Sequence, residues 1–137
     1  MVTGIAPIKQ ALVARMRASI PLKAAAKGGI HEGVAPQETE YPFITYGVGY
    51  APWVYTWDSI IVEVPLVVSV FHTNSVEAHN LDALVLAALQ EAPLAVSGQS
   101  TLICRRVGDL SSQDVDEEGK KIYQVGGRYE IWTDQPR

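Results

Sequence analysis

Cysteine is almost absent from this chain: Cys104 is the only one, which excludes an internal disulfide and any multi-cysteine zinc site. Set in Leu102-Ile103-Cys104-Arg105, it reads as a small buried hydrophobe in a strand. Histidine is scarce as well. His31, His72 and His79 fall at no metal-ligand spacing, and no second histidine follows His31-Glu32 at the fourth position. No strand-to-helix nucleophile turn places a serine beside a histidine. The local sequence thus offers no catalytic group, metal or cofactor site, and the expectation is a protein that is not an enzyme. No run of 18 apolar residues exists to span a bilayer, and the N-terminus lacks a charged-then-apolar export signal. Neither a membrane-spanning nor a secreted chain is expected.

Positive charge is missing from a long stretch. Residues 28–104 contain no lysine or arginine and eight acids, whereas residues 1–27 hold five bases (Lys9, Arg15, Arg17, Lys23, Lys27) and no acid. The last third mixes six bases with seven acids, and the formal net charge of −4 argues against general affinity for nucleic acid. Either the basic first segment packs beside the acidic middle within one subunit, or the two patches meet between copies.

Two motifs look like sites and fail. Gly47-Val48-Gly49 has no third glycine, no lysine and no helix behind it, so it is not a phosphate loop. Asp114, Asp116 and Glu118 with Gly119 imitate the start of a calcium loop, but the twelfth position is Val125 rather than a bidentate carboxylate. A charged β-turn joining two strands explains the same residues. Five acids in ten residues (Asp109, Asp114, Asp116, Glu117, Glu118) would be costly to bury together, so 109–118 is expected as a loop facing solvent or a lumen.

What the sequence has in abundance is one β-branched run, Ser59 to His72. Ile60, Val62, Val64, Leu66, Val68 and Val70 alternate onto one face, with Glu63 and Ser69 on the other. Fourteen residues would span roughly 46 Å, against a radius of gyration of about 14 Å for a chain of this length. The strand should therefore bend or protrude at Pro65, which cannot donate to the ladder. Its first half is expected in a protruding hairpin arm. Trp53, Tyr55 and Trp57 alternate just before it, on one face of that arm, as aromatic anchors or as a cover for the sheet.

The remaining elements read in order. Ile5, Ile8, Leu12 and Met16 recur at helical spacing, with Pro7 in the first turn and Ile20-Pro21 ending the pattern. Gly28-Gly29 suits a left-handed exit. A weak strand follows at 30–34, then a polar loop, then Tyr41-Pro42 opening a strand at 43–46. Asn74 or Ser75 caps a second helix with Glu77 in its first turn, a stripe of Leu81, Leu84, Val85, Ala88 and Leu89, and an end at Ala92-Pro93. A strand runs through Leu102, Cys104 and Arg106, and a last one from Lys121 to Thr133, with Gly126-Gly127 marking a bulge or a close approach. The tail 134–137 is expected to be loose. The fold class is α+β: an antiparallel sheet with two helices packed on one face and a protruding β-hairpin arm.

Across nearly the whole chain this layout resembles the tail-completion, or tail-terminator, proteins of long-tailed bacteriophages. The resemblance rests on the helix ending near Lys27-Gly28-Gly29, on Ile30-His31-Glu32-Gly33-Val34-Ala35-Pro36-Gln37 and Tyr41-Pro42-Phe43-Ile44, on the long apolar strand before an Asn-Ser-capped helix, and on the closing strand pair with its charged turn. The aromatic segment 53–57 is richer than that pattern. The resemblance implies one domain over 1–137 and a structural virion protein, assembled in the host cytoplasm, at the head-proximal end of the tail. It implies a ring of identical subunits, commonly six, that caps the tail tube and docks a head-completion or connector protein, with DNA passing through but not specifically bound. Arg15, Arg17, Trp53, Tyr55 and Trp57 would then lie at the subunit interface, and Asp109, Asp114, Asp116, Glu117 and Glu118 would face lumen or tube. A neck adaptor of the same machine, or a small ligand-binding or metabolic α+β domain, are the alternatives.

Overall fold

The computed structural model describes residues 4–90 and 94–137. Its elements are α1 (Ala6–Ala18), α2 (Ile20–Ala25), β1 (Ile30–Glu32), β2 (Phe43–Val48), β3 (Trp53–Tyr55), β4 (Ser59–His72), α3 (Ser75–Leu89), β5 (Ser100–Val115) and β6 (Lys121–Pro136). The strands form one sheet in the order β1-β2-β4-β6-β5, with β3 beside β4 below the end of β2. The α+β class is as expected, with two additions. A third helix, α2, is present, and β1 pairs with β2 in parallel while every other pair is antiparallel.

The long apolar strand is the spine of the sheet. β4 pairs along its whole length with β6, from Ser59 opposite Pro136 to His72 opposite Tyr123. Ile60, Val62, Val64, Leu66, Val68 and Val70 are all buried and share one core with Ile8, Leu12 and Met16 of α1, Leu22 of α2 and Leu81, Val85 and Leu89 of α3. All three helices therefore cover one face of the sheet. The first half of β4 does not leave the body, contrary to the expectation from its length. Two 16-residue strands make the sheet itself long, so a 14-residue strand fits inside it. Pro65 sits where the partner of β4 changes from β2 to β3: its carbonyl accepts from Gly49 N at 3.0 Å, and Glu63 N donates to Pro52 O at 3.1 Å. A missing N–H costs no ladder bond at that gap. β3 itself pairs with β4, and only the turn 56–58 between them lies outside the strands.

Ile20-Pro21 opens a helix rather than closing one. Ser19 is extended (φ −76°, ψ 107°) and its side chain accepts from Leu22 N, so one serine ends α1 and caps α2. Proline in the first turn loses nothing there. Gly29 takes the left-handed conformation expected at the exit (φ +87°). Asn74 caps α3 through Glu77 N at 3.0 Å; the expected end at Ala92-Pro93 lies outside the described residues.

The C-terminal tail is a sheet strand, not a loose end. Gln135 is buried, Arg137 N donates to Asp58 O at 3.0 Å, and Arg137 Nη1 donates to Thr56 O at 2.9 Å. Gly126-Gly127 marks a close approach and no bulge, since the β4–β6 register runs unbroken past it. A Cβ on Gly126 would lie 2.0 Å from Val68 O, and one on Gly127 2.3 Å from Arg106 Nε. The bulges fall in β5 instead, at Leu102 and Val107.

Candidate interaction surfaces

Trp53 and Tyr55 alternate on β3 opposite the buried Val62 and Ile60, so both rings rise on the helix-covered side of the sheet, 6.5 Å apart between centroids. All three residues of β3 are exposed. Trp57 departs from the expected alternation because it sits in the turn before β4 and not in a strand. Trp57 is 99% exposed. The turn beneath it is nevertheless tied: Thr56 N donates to Ser59 O at 2.9 Å, Ser59 N donates to Thr56 Oγ1 at 3.1 Å, and the Arg137 guanidinium lies 5.3 Å above the Tyr55 ring. An exposed aromatic on a fixed support loses little conformational entropy when it docks, which is the property of an interface anchor.

The basic patch of the first segment is divided. Lys9 Nζ pairs with Glu32 Oε1 at 2.7 Å, an intrasubunit contact between basic helix and acidic middle, and that carboxylate raises the lysine pKa. Arg15 Nη1 donates to Ala88 O near the end of α3 at 3.4 Å, a position that favours a cation. Arg17 is exposed and lines a groove of about 510 Å³ with Lys9, Val13, Glu32 and Tyr46.

The acidic segment is not a loop. Asp109 and Asp114 belong to β5, pairing with Gly127 and Ile122, and only 116–120 form the turn. Asp109, Asp114, Glu117 and Glu118 are exposed and Asp116 is half-buried. Asp116 Oδ1 accepts from Glu118 N at 2.9 Å and Lys120 N at 2.8 Å, and Gly119 supplies the positive φ of +80°. Because amides keep those acceptors, changing Asp114 and Asp116 to asparagine and Glu117 to glutamine together should move Tm by about 2 °C or less. A larger loss in a thermal melt would give these charges a structural role.

The acid nearest the core was not anticipated. Arg106 of β5 reaches under α3, where Nη1 and Nη2 donate to Asp82 Oδ1 and Oδ2 at 3.1 and 2.8 Å. Nη2 also donates to Gly126 O, and Nε lies 2.8 Å from Asp109 Oδ1. Both partners of the bidentate pair have side chains only 12% exposed. Burial pushes the neighbouring Tyr129 phenol up to about 12, against the opposing pull of the guanidinium. The signal was present: Asp82 interrupts the buried spacing Ala78, Leu81, Val85, Leu89, and of two adjacent strand arginines one must face the helices. Cys104 is buried as expected, its thiol donating to Leu89 O at 2.9 Å, and burial raises its pKa.

Among the described residues no group of three or more His, Cys, Asp or Glu side chains gathers as a metal site, and no helix is long and apolar enough to cross a membrane. The prominent surface features are an aromatic strand edge, an exposed arginine and a charged hairpin. The family model for tail completion protein gp17 matches residues 10–134, and the chain belongs to that family, a structural protein of phage tails. A chain from a solved structure titled "Virion of native gene transfer agent (GTA) particle" has the same fold, with a TM-score of 0.70 and 16% identity over 93% of this chain and 94% of that one. A second solved chain is similar in fold at a TM-score of 0.55 and 13% identity, over 95% and 96%. No curated protein sequence matches.

Proposed function

We propose that this protein terminates the tail: a ring of six identical subunits caps the tail tube at its head-proximal end and gives the head-completion or connector protein its docking surface. Family membership supplies the setting, and the similar chain from a gene transfer agent virion is at home in the same kind of particle. The observation that supports the ring is the aromatic edge, with Trp53 and Tyr55 exposed on β3 and Trp57 exposed on the tied turn that follows it. Arg17 shares that interface. Arg15, bonded to the end of α3, steers from its margin. The acidic hairpin, with Asp109, Asp114, Asp116, Glu117 and Glu118, faces the lumen or tube, where like charge lets DNA slide past without sticking.

Light scattering of the purified protein at micromolar concentration tests the reading. Six copies of a 14.9 kDa chain should give a particle of about 90 kDa, alone or on addition of tail tubes. A folded protein that stays monomeric with tail tubes present rules the ring out.

A further inference from the structure

A ring needs two different patches that fit each other, and the outermost strands of the sheet, β1 and β5, supply one each. On β1 the bonds to β2 include Gly29 O, which accepts from Ile44 N, and Gly33 N, which donates to Tyr46 O. Alternation between those two points leaves the backbone groups of Ile30 and Glu32 aimed out of the sheet. On β5 the stretch 101–106 is already occupied, since Arg106 N donates to Gln90 Oε1 and Thr101 Oγ1 is bonded to Leu94. The stretch after the second bulge is open. Asp116 N donates to Lys120 O and the register is unbroken from Gly108 to Val115, so Gly108, Leu110, Ser112 and Asp114 turn their backbone groups to β6, while Asp109, Ser111 and Gln113 turn theirs outward.

The two edges match in direction, phase and face. β1 is parallel to β2, which opposes β4, and β5 runs with β4, so β5 is antiparallel to β1. Across the sheet Ile30 stands level with Ile44, Val70, Val125 and Ser111, His31 with Leu110, and Glu32 with Asp109. The outward-aimed residues of one edge thus stand at the heights of those of the other. Ile30 and Ser111 belong to the helix-covered face, His31 and Leu110 to the open one, and a slip by one residue would mismatch every face. Neither strand contains the proline or lysine that usually blunts an edge.

Resting on the ring reading, we infer that residues 109–111 of β5 in one copy lie antiparallel on β1 of the next, Ser111 opposite Ile30 and Asp109 opposite Glu32. Those two pairs exchange backbone hydrogen bonds, and Leu110 meets His31 in the non-bonded pair between them. Like charges placed opposite oppose pairing, but each acid keeps its own cation, Asp109 with Arg106 and Glu32 with Lys9, so no lone charge enters the contact. Three residues cannot bury the roughly 800 Å² per partner of a stable contact. The flanks add to it. At one end Val34 and Val107, 86% and 52% exposed, lie two residues past the paired stretch. At the other, β5 leads into Asp114, Asp116, Glu117 and Glu118, and β1 leads back to Lys27 and Lys23, both exposed on the acid-free first segment. β3 lies on the same side of β4 as β2 and β1, so Trp53 and Tyr55 face the same neighbour at the occupied part of its β5 and reach it by side chains alone.

Engineered cysteines decide this, because Cys104 is buried and a non-bonded antiparallel pair holds its Cβ atoms within disulfide reach. His31→Cys and Leu110→Cys are made as separate variants, mixed with tail tubes present, and oxidised gently. The mixture should give a disulfide-linked dimer that neither variant gives alone, and a chain carrying both changes should give a covalent ladder up to the ring. Ser111→Pro tests the same edge with His31 in place: its N–H serves no ladder bond within the subunit, so the monomer should stay folded in a thermal melt while assembly is lost. If light scattering shows a ring but the two cysteines do not link, or if Ser111→Pro forms a full-sized ring, the edge pairing is wrong and the ring stands. If His31→Cys links to Ser112→Cys in preference to Leu110→Cys, the register is wrong. If the unsubstituted protein stays monomeric and the cysteine mixture unlinked with tail tubes present, both readings fall.

Discussion

Replacing Arg106 with methionine is expected to destabilise the fold by about 3–5 kcal/mol, the usual cost of removing one partner from a buried ion pair. Asp82 is held from α3 against the sheet with both carboxylate oxygens on this guanidinium, and methionine leaves that charge buried without its partner. The Gly126 carbonyl loses its donor in the same step. For a domain of this size the loss corresponds to a Tm lower by on the order of 10–20 °C. Adding Asp82→Leu should recover most of it, because a buried ion pair and a well-packed apolar pair differ little in net stability. A double-mutant cycle in chemical denaturation measures the coupling. If Arg106→Met alone costs under 1 kcal/mol, the pair is not what holds α3 to β5.

Changing Trp57 to alanine is expected to abolish most assembly while leaving the fold as stable as before. The ring touches almost nothing in its own subunit, so the change in folding stability should stay within about 0.5 kcal/mol. An aromatic anchor at an interface is worth on the order of 2 kcal/mol, roughly a thirty-fold weakening of each contact. Trp53→Ala added to it should weaken each contact about a thousand-fold, where both rings contribute independently, and release folded monomers in sedimentation or light scattering at micromolar concentration. Raised salt should behave differently, slowing assembly more than loosening the finished ring, because screening acts on encounter between Arg17-bearing and acidic surfaces. Full assembly of the double variant would take the aromatics out of the interface.

The two surface effects concern residues whose chemistry is legible in one dimension, and the first concerns a pair that is not. Local pattern determined the elements. The six alternating apolar residues of 60–70 became the buried face of β4, the 3.6-residue spacing of Ile8, Leu12 and Met16 became the core stripe of α1, and Asn74 capped α3, because each depends only on near neighbours in the chain. The charged turn at 116–120 was set locally too, by Asp116 and Gly119. Tertiary structure decided what long-range pairing controls. Arg106 and Asp82 are 24 residues apart, and only the packing of α3 over β5 brings them together. The tail 134–137 looked loose because its polar residues carry no apolar alternation, yet it is the end of β6, flanked by β4 over 134–136 and by Ser100 of β5 at Asp134. Pro65 read as a point of bending or protrusion, but which strands flank it was not written beside it; it falls at the handover from β2 to β3, where no partner asks for its missing N–H. The tip of the arm also changed meaning: alternation puts Trp53 and Tyr55 on one face, while the turn that closes the hairpin takes Trp57 out of the strand and leaves it open to contact.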